Sequence, residues 1–167
     1  MKLKLFNKPI KLANILLLIF LYASKPFFLR DTLNIRICVC TCGKNENKYA
    51  REFVKYYYNY GVDKIFIYDN NNENSENFED VLYDYIQSGF VRIINYREKQ
   101  KIQMKAFNHC YQHNKNNYDW FIYYDMDEFI HLDNYKNIKK YLGQTAFNKC
   151  NIIYLNHVIH TDNNQIY

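Results

Sequence analysis

The chain has 167 residues, a length that fits one folded domain with a hydrophobic core of its own. Hydrophobic residues make up 49% of it, and 18 Tyr and 12 Phe make it strongly aromatic, which excludes an intrinsically disordered protein. The net charge of +5 is a mild excess without the clustered basic face of a nucleic-acid-binding domain, so no nucleic-acid partner is expected.

Residues 1–33 form a basic and apolar leader, which we distinguish from a domain at residues 34–167. Four lysines precede an apolar run, and residues 12–29 reach the length of a membrane span despite an interrupting lysine and proline. The leader is therefore predicted to be the signal-anchor of a single-pass type II membrane protein, with the basic flank in the cytoplasm. A cleaved signal peptide and a soluble helix packed on the domain are the alternatives.

After the leader, strand-like and helix-like segments alternate. Apolar runs predict five strands: Ile35–Cys42, Lys64–Tyr68, Phe90–Tyr96, Trp120–Tyr124 and Asn151–Leu155. Helical spacing predicts four helices between them, at Ala50–Gly61, Phe78–Gly89, Gln100–Asn114 and Asn134–Leu142. Gly61, Gly89 and Gly143 follow three of these helices and are expected to have positive φ. The alternation predicts the α/β class, with a mostly parallel sheet flanked by helices.

The chain has five cysteines, an odd number that cannot all pair within it. Cys38, Cys40 and Cys42 alternate along the first predicted strand and share one of its faces. Their spacing differs from the Cys-x2-Cys pairs of metal sites, so we interpret them as small buried thiols of the core. The redox compartment stays open on this evidence.

Polar residues follow four of the predicted strands, at the edge where parallel sheets bind ligands. Asp69 is placed to bind a ribose hydroxyl or a base edge, and Arg97 to pair with a phosphate. The alternatives are a turn residue and a solvated loop charge. Glu46 either faces a nucleotide or begins a helix, and Gln103 is equally ambiguous at the start of the next helix.

Asp125 and Asp127 follow an apolar strand directly and are separated by one residue. In an extended segment such residues point the same way, and their carboxylates repel unless a cation lies beside them. A hard divalent ion suits two carboxylates and keeps coordination places for phosphate oxygens, so we predict a metal-bound diphosphate here. The alternative is a solvated acidic turn that caps the next helix.

Other chemistries have weaker support in the sequence. No Walker A, G-x-G-x-x-G or G-x-S-x-G sequence occurs. A phosphatase of the D-x-D-x-[TV] type is disfavoured because Phe129 occupies the position of Thr or Val. The histidines match no zinc motif and are interpreted as surface or core polar residues: His109, His113, His131, His157 and His160.

Four stretches of the chain together carry a family resemblance. They are Cys42–Asn47, Glu52–Asn71, Gly89–Arg97 and Tyr118–Ile130. In order and spacing they resemble glycosyltransferase family 92 and related family 2-type glycosyltransferases, over roughly residues 35–167.

The resemblance implies a GT-A-like, Rossmann-like fold, a nucleotide-diphospho-sugar donor and a divalent cofactor, Mn2+ or Mg2+. By motif match, Asp125 and Asp127 hold the metal and diphosphate, and Glu46 and Asp69 line the nucleotide pocket. The complete predicted donor-binding set is Thr41, Lys44, Glu46, Asp69, Arg97 and Gln103. Many eukaryotic members look like type II Golgi proteins, so a Golgi location is expected if the source is eukaryotic.

The chain departs from the family pattern in two places. His157 stands where related sequences tend to carry Trp, and the acceptor-binding half with its general base is expected beyond Tyr167. The domain is therefore expected to be C-terminally truncated, with no catalytic base assigned. The predicted function is sugar transfer to a glycan, lipid or protein hydroxyl; the alternative is a non-catalytic donor-binding fragment or pseudoenzyme.

Overall fold

A computed structural model describes residues 21–23, 34–97 and 99–156 of the chain. The strands are β1 (Leu21–Ala23), β2 (Ile37–Gly43), β3 (Lys64–Asp69), β4 (Val91–Asn95), β5 (Trp120–Tyr123) and β6 (Ile152–Ile153). The helices are α1 (Asn47–Asn59), α2 (Phe78–Gln87), α3 (Gln103–Asn114) and α4 (Ile138–Leu142), followed by a 3-10 turn at Thr145–Phe147. All five predicted strands and all four predicted helices are present, which confirms the α/β class.

The six strands form one sheet in the order β4-β3-β2-β5-β1-β6. The four strands from β4 to β5 are parallel, and β1 pairs antiparallel with both β5 and β6. From β2 the chain moves outward to β3 and β4, and it then returns through α3 to the other side of β2. The order therefore reverses between β2 and β5, which is the topological switch point of a doubly wound sheet.

The central strand β2 is apolar on both faces because each face meets a different helical layer. Ile37 and Val39 pack into the larger core with α1 and α2. Cys38 and Cys40, which alternate with them, pack into a second core that α3 covers. Burial on both faces is what a parallel strand between two helical layers requires. Strand β2, which borders the crevice at the switch point, is thus held by packing on both of its faces.

A disulfide joins Cys40 on β2 to Cys110 on α3 and ties the second helical layer to the sheet. The prediction that the β2 cysteines are all free thiols is therefore wrong for Cys40. The cause is tertiary, since Cys110 lies on the buried side of α3, 70 residues further along the chain than Cys40 and after the first two crossovers. Cys38, Cys42 and Cys150 are free, and Cys38 is buried as predicted.

Three residues inside the predicted membrane anchor, Leu21–Ala23, form the strand β1 within the sheet. A strand there differs from a continuous membrane helix over residues 12–29, whose other residues lie outside the described part of the chain. Among the described residues, no helix combines the length and the apolar character that a membrane crossing needs. His157, which stands where related sequences tend to carry Trp, also lies outside the described residues.

Two of the three glycines expected to have positive φ do so. Gly61 ends the turn after α1 at a φ of 90°, and Gly89 follows α2 at 77°. Gly143 is different, because its φ of −77° is an ordinary right-handed value. The prediction for Gly143 is wrong since α4 is a short helix that ends without a left-handed residue.

Candidate functional site

The candidate site lies where the carboxyl ends of β2 and β5 meet at the switch point. The two strands are hydrogen-bonded neighbours, with Cys40 opposite Tyr123. The chain leaves β2 through Lys44–Glu46 and leaves β5 through Asp125–Glu128, so both segments border one crevice. Ligands of doubly wound sheets bind in this crevice, and its residues are therefore the first candidates for binding chemistry.

Burial of Met126 fixes how the two aspartates are presented. Met126 is 2% exposed, whereas Asp125 is half-buried and Asp127 is exposed. Gly43 makes room for the Met126 side chain, because a Cβ on residue 43 would lie 2.9 Å from the Met126 Cε. The segment is a turn, closed by the Glu128 N–H that donates to the Asp125 carbonyl at 3.1 Å. The expected extended conformation is wrong, yet both carboxylates stay at the edge of the sheet.

Asp125 is held by two contacts that fix its orientation. The Gln103 Nε2, on the first residue of α3, donates to the Asp125 Oδ1 at 2.8 Å. The Asp125 N–H donates to the Glu128 Oε2 at 3.2 Å. Burial and, after it, the charge of Asp127 raise the pKa of Asp125, and the Gln103 hydrogen bond opposes this shift. The two aspartates therefore interact, and the negative charge between them is incompletely balanced by the protein.

Glu46 adds a third carboxylate to the crevice. Glu46 occupies the N-cap position of α1, but its side chain makes no capping hydrogen bond. Its carboxylate is therefore not used to cap the helix. Burial raises the pKa of Glu46, and the charges of Asp127, Glu76 and Asp125 raise it further, in that order. The charges of both aspartates therefore act on Glu46, which places its carboxylate near theirs. Lys44, on the same segment, is exposed beside it.

Two residues of the crevice are absent from the predicted set. Glu128 binds the N–H of Asp125, and the Cys42 thiol lies close enough for the charge of Asp125 to act on it. Burial, followed by that charge, raises the pKa of Cys42 to about 12, so the thiol stays protonated at neutral pH. The signals were in the sequence, since Glu128 directly follows the aspartates and Cys42 ends the first predicted strand.

Helix α1 clamps the segment that follows the aspartates. The hydroxyl of the buried Tyr57 donates to the Glu128 carbonyl at 3.1 Å and accepts from the Ile130 N–H at 3.2 Å. The hydroxyl of Tyr56 donates to the Ile130 carbonyl at 2.5 Å. These bonds give hydrogen-bond partners to backbone groups of Glu128 and Ile130, which follow the sheet. They also hold the turn that contains the two aspartates against helix α1.

Asp69 and Arg97 are brought together by the structure, but mainly with each other. The Arg97 Nε donates to the Asp69 Oδ2 at 2.8 Å, and the side chains are only 12% and 4% exposed respectively. The guanidinium also donates to four oxygens of the loop after β3, on Asn72, Glu73, Glu76 and Asn77. These contacts favour a structural role for both residues, although Arg97 is buried and paired and so differs from the solvated loop charge of the alternative. The nucleotide and phosphate roles of the two residues stay predictions.

Thr41 lies away from the crevice carboxylates. It is fully buried on the β2 face that carries Ile37 and Val39, whereas Asp125 acts on Cys42, which points to the opposite face. Its hydroxyl has no hydrogen-bond partner. The structure therefore does not support the predicted contact of Thr41 with a donor; this was a choice by position along the strand, which ignored the alternation of faces.

We expect Thr41→Val to increase the free energy of unfolding by about 1 kcal/mol, because it removes a buried hydroxyl without a partner and keeps the branched shape. Chemical denaturation of both proteins measures the difference. Thr41→Ser, which keeps the hydroxyl and loses the methyl group, is the matched control and should be less stable than the wild type. A less stable valine variant would show that the hydroxyl has a partner in solution.

The architecture and the crevice together define a class of protein. It is a Rossmann-like α/β domain, with a parallel sheet between helical layers and acidic side chains at the switch point where such sheets bind ligands. The family model of glycosyltransferase family 92 matches residues 34–166, and the chain belongs to that family.

Three plant relatives, all named glycosyltransferase family 92 proteins, show the similarity in detail. The protein from Ricinus communis is 31% identical over 103 residues, which cover 62% of this chain and 18% of the relative. The protein from Oryza sativa is 33% identical over 97 residues, which cover 58% and 16%. The protein from Arabidopsis thaliana is 29% identical over 107 residues, which cover 60% and 17%. Each of these three alignments covers less than a fifth of the relative's length, so the chain spans only a small part of these relatives. No solved structure matches the chain.

Proposed function

We propose that the chain binds the donor of a metal-dependent glycosyltransferase, which moves a sugar from a nucleotide-diphospho-sugar to an acceptor hydroxyl. The observation that carries the proposal is the set of three interacting carboxylates, on Glu46, Asp125 and Asp127, beside the switch point. Family membership supports glycosyl transfer in general. The position of these carboxylates at the switch point supports a nucleotide ligand, since doubly wound sheets bind nucleotides in this crevice.

The donor set fits a hard divalent cation such as Mn2+ or Mg2+. Carboxylate oxygens are the ligands such ions prefer, and a cation beside Asp125 would offset both effects that raise the pKa of this carboxyl, its burial first and the charge of Asp127 second. Asp125 and Asp127 would hold the ion, with Glu46 beside them. When bound, the ion supplies positive charge that stabilises the departing diphosphate.

The side chains around the aspartates have separate tasks in this proposal. Gln103 holds the Asp125 carboxylate in one orientation, and Glu128 holds its backbone N–H. Lys44 is the exposed cation of the crevice and supplies charge to the diphosphate as it leaves. The proton of the acceptor hydroxyl must pass to a general base, for which we assign none of the described residues.

The test is binding of a panel of nucleotide-diphospho-sugars by calorimetry, with and without Mn2+. We expect Asp127→Asn to lower the Mn2+-dependent affinity by at least about tenfold, because the loss of one carboxylate weakens both ion and diphosphate binding. Asp84→Asn, at an exposed acid paired with Arg51 on the outer side of α1 and α2, is the matched control and should bind like the wild type.

Equal donor affinity of Asp127→Asn and the wild type would remove the proposed metal site. Binding of the free nucleotide diphosphate in the same series separates recognition of the diphosphate from recognition of the sugar. Transfer to any hydroxyl acceptor then distinguishes an enzyme from a protein that binds the donor without turnover.

A further inference from the structure

Two histidines lie side by side on α3, away from the carboxylate crevice. His109 and His113 are four residues apart, which places them on one face of the helix. Their ring centroids are 3.9 Å apart and the rings are nearly parallel, with an interplanar angle of 27°. His113 is exposed and His109 is half-buried, so a solute can reach both.

The hydrogen bonds of these rings leave the same nitrogen open on each. The His113 Nδ1 lies 2.8 Å from the His109 carbonyl oxygen, which only accepts, so Nδ1 carries the proton and Nε2 carries the lone pair. The His109 Nδ1 lies 2.8 Å from the Tyr68 hydroxyl, which can accept from an Nδ1–H in the same way. Histidines that bind metals show this pattern, with one nitrogen donating to an oxygen and the other free for the ion.

We propose that His109 and His113 form a two-imidazole chelating site for a borderline transition-metal dication, such as Cu2+, Ni2+ or Zn2+. Imidazole pairs four residues apart on a helix suit these ions, whereas Mn2+ and Mg2+ prefer the oxygen ligands of the crevice. Water fills the remaining coordination places, so the ion is exchangeable and differs from a closed structural zinc.

The surroundings of His109 include effects that favour the binding of a metal ion and effects that oppose it. Burial, followed by the charges of His113, Lys99 and Arg92, lowers the pKa of His109, so its ring is neutral and able to bind a metal at neutral pH. The ring is also held in place, since it contacts Tyr68 edge-on with centroids 5.7 Å apart. The charges of Lys99 and Arg92 oppose any dication and lower its affinity equally, whereas the imidazole ligands set the expected affinity order, Cu2+ above Ni2+ and Zn2+.

The experiment titrates the full chain with Ni2+ alone and follows binding by calorimetry. We expect His113→Asn to lower the affinity of this site by more than about tenfold, because a single imidazole has no chelate partner. His131→Asn is the matched control, since His131 is an exposed histidine on another segment and should not affect the site. Equal Ni2+ affinity of His113→Asn and the wild type would overturn the proposal.

Two further measurements separate a ligand from a structural residue. The electron paramagnetic resonance spectrum of bound Cu2+ should show coupling to two imidazole nitrogens in the wild type and to fewer in His113→Asn. Tyr68→Phe keeps both imidazoles and should weaken binding by about tenfold, the lower end of the usual effect of losing a hydrogen-bond partner of a ligand, while the coupling to two nitrogens persists. An unchanged nitrogen coupling in His113→Asn would contradict the assignment, and Mn2+-dependent donor binding should be the same in that variant as in the wild type.

Discussion

Removal of the disulfide between Cys40 and Cys110 is expected to lower the free energy of unfolding by about 4 kcal/mol. The two residues are 70 positions apart, and the cross-link therefore restricts a long loop of the unfolded chain. The entropy of closing a loop of this length is the source of the expected value. Both cysteines are fully buried, so the folded state loses little else when the bond is absent.

The measurement is chemical denaturation of the oxidised chain, the reduced chain and the Cys40→Ala, Cys110→Ala double variant. The reduced chain keeps every side chain and isolates the effect of the bond, whereas the double variant also loses some packing. Cys150→Ser is the matched control, because Cys150 is a free cysteine outside the bond. Equal stability of the oxidised and reduced chains would show that the disulfide does not form in solution.

The disulfide is linked to the candidate site through helix α3. Cys110 and Gln103 both belong to α3, and Gln103 binds the Asp125 carboxylate. A helix bonded covalently to β2 keeps its first residue in register with the end of β5. The disulfide therefore helps to preorganise a crevice carboxylate, although neither of its sulfurs lies in the crevice.

The fold was predictable from the sequence because its signals are local. Strand β2 is apolar on nearly every position, which indicates burial on both faces, and α1 shows apolar residues at helical spacing up to Gly61. Four parallel strands with alternating helices follow from such patterns by the rules of chain connection. The switch point follows from the strand order, and it correctly places Glu46 and Asp125 at one edge.

What the sequence did not predict depends on contacts between distant segments. The disulfide needs the packing of α3 on β2, and the pairing of Asp69 with Arg97 needs the path of the loop after β3. The predicted role of Thr41 rests on its position along a strand, which does not reveal which face of the sheet the side chain meets, and the structure buries it on the face opposite Cys42. Residue spacing predicts an extended segment at Asp125–Glu128, because the hydrogen bond between the Glu128 N–H and the Asp125 carbonyl has no signature in the sequence.

The crevice and the core of this domain use carboxylates in opposite ways. Asp69 is buried and has Arg97 as its partner, so its charge is compensated within the protein. Burial, and after it the charges of Asp127, Glu76 and Asp125, raise the pKa of Glu46, and burial followed by the charge of Asp127 raises the pKa of Asp125. Under our proposal a cation compensates the crevice charges, whereas Asp69 is compensated within the protein, and this compensation can be measured by replacing Arg97.

Replacement of Arg97 by methionine is expected to lower the free energy of unfolding by about 3–5 kcal/mol, the usual effect of leaving one charge of a buried pair without its partner. Among the described residues, the Asp69 carboxylate, 4% exposed, would keep the Asn71 N–H at 2.9 Å as its hydrogen-bond donor. The loop oxygens that the guanidinium now binds would lose their donors as well. Thermal and chemical denaturation of the variant measure this effect.

Arg51→Met is the matched control, because it removes an arginine–aspartate pair whose side chains are both 56% exposed, and exposed pairs contribute little. The double variant with Asp69→Asn should recover part of the stability lost in Arg97→Met, since it removes the unpaired buried charge. The two interpretations of Arg97 then give opposite results. A structural arginine lowers stability when replaced, whereas an arginine that binds phosphate leaves stability unchanged and lowers only donor affinity; the buried pair and the loop contacts predict the first result.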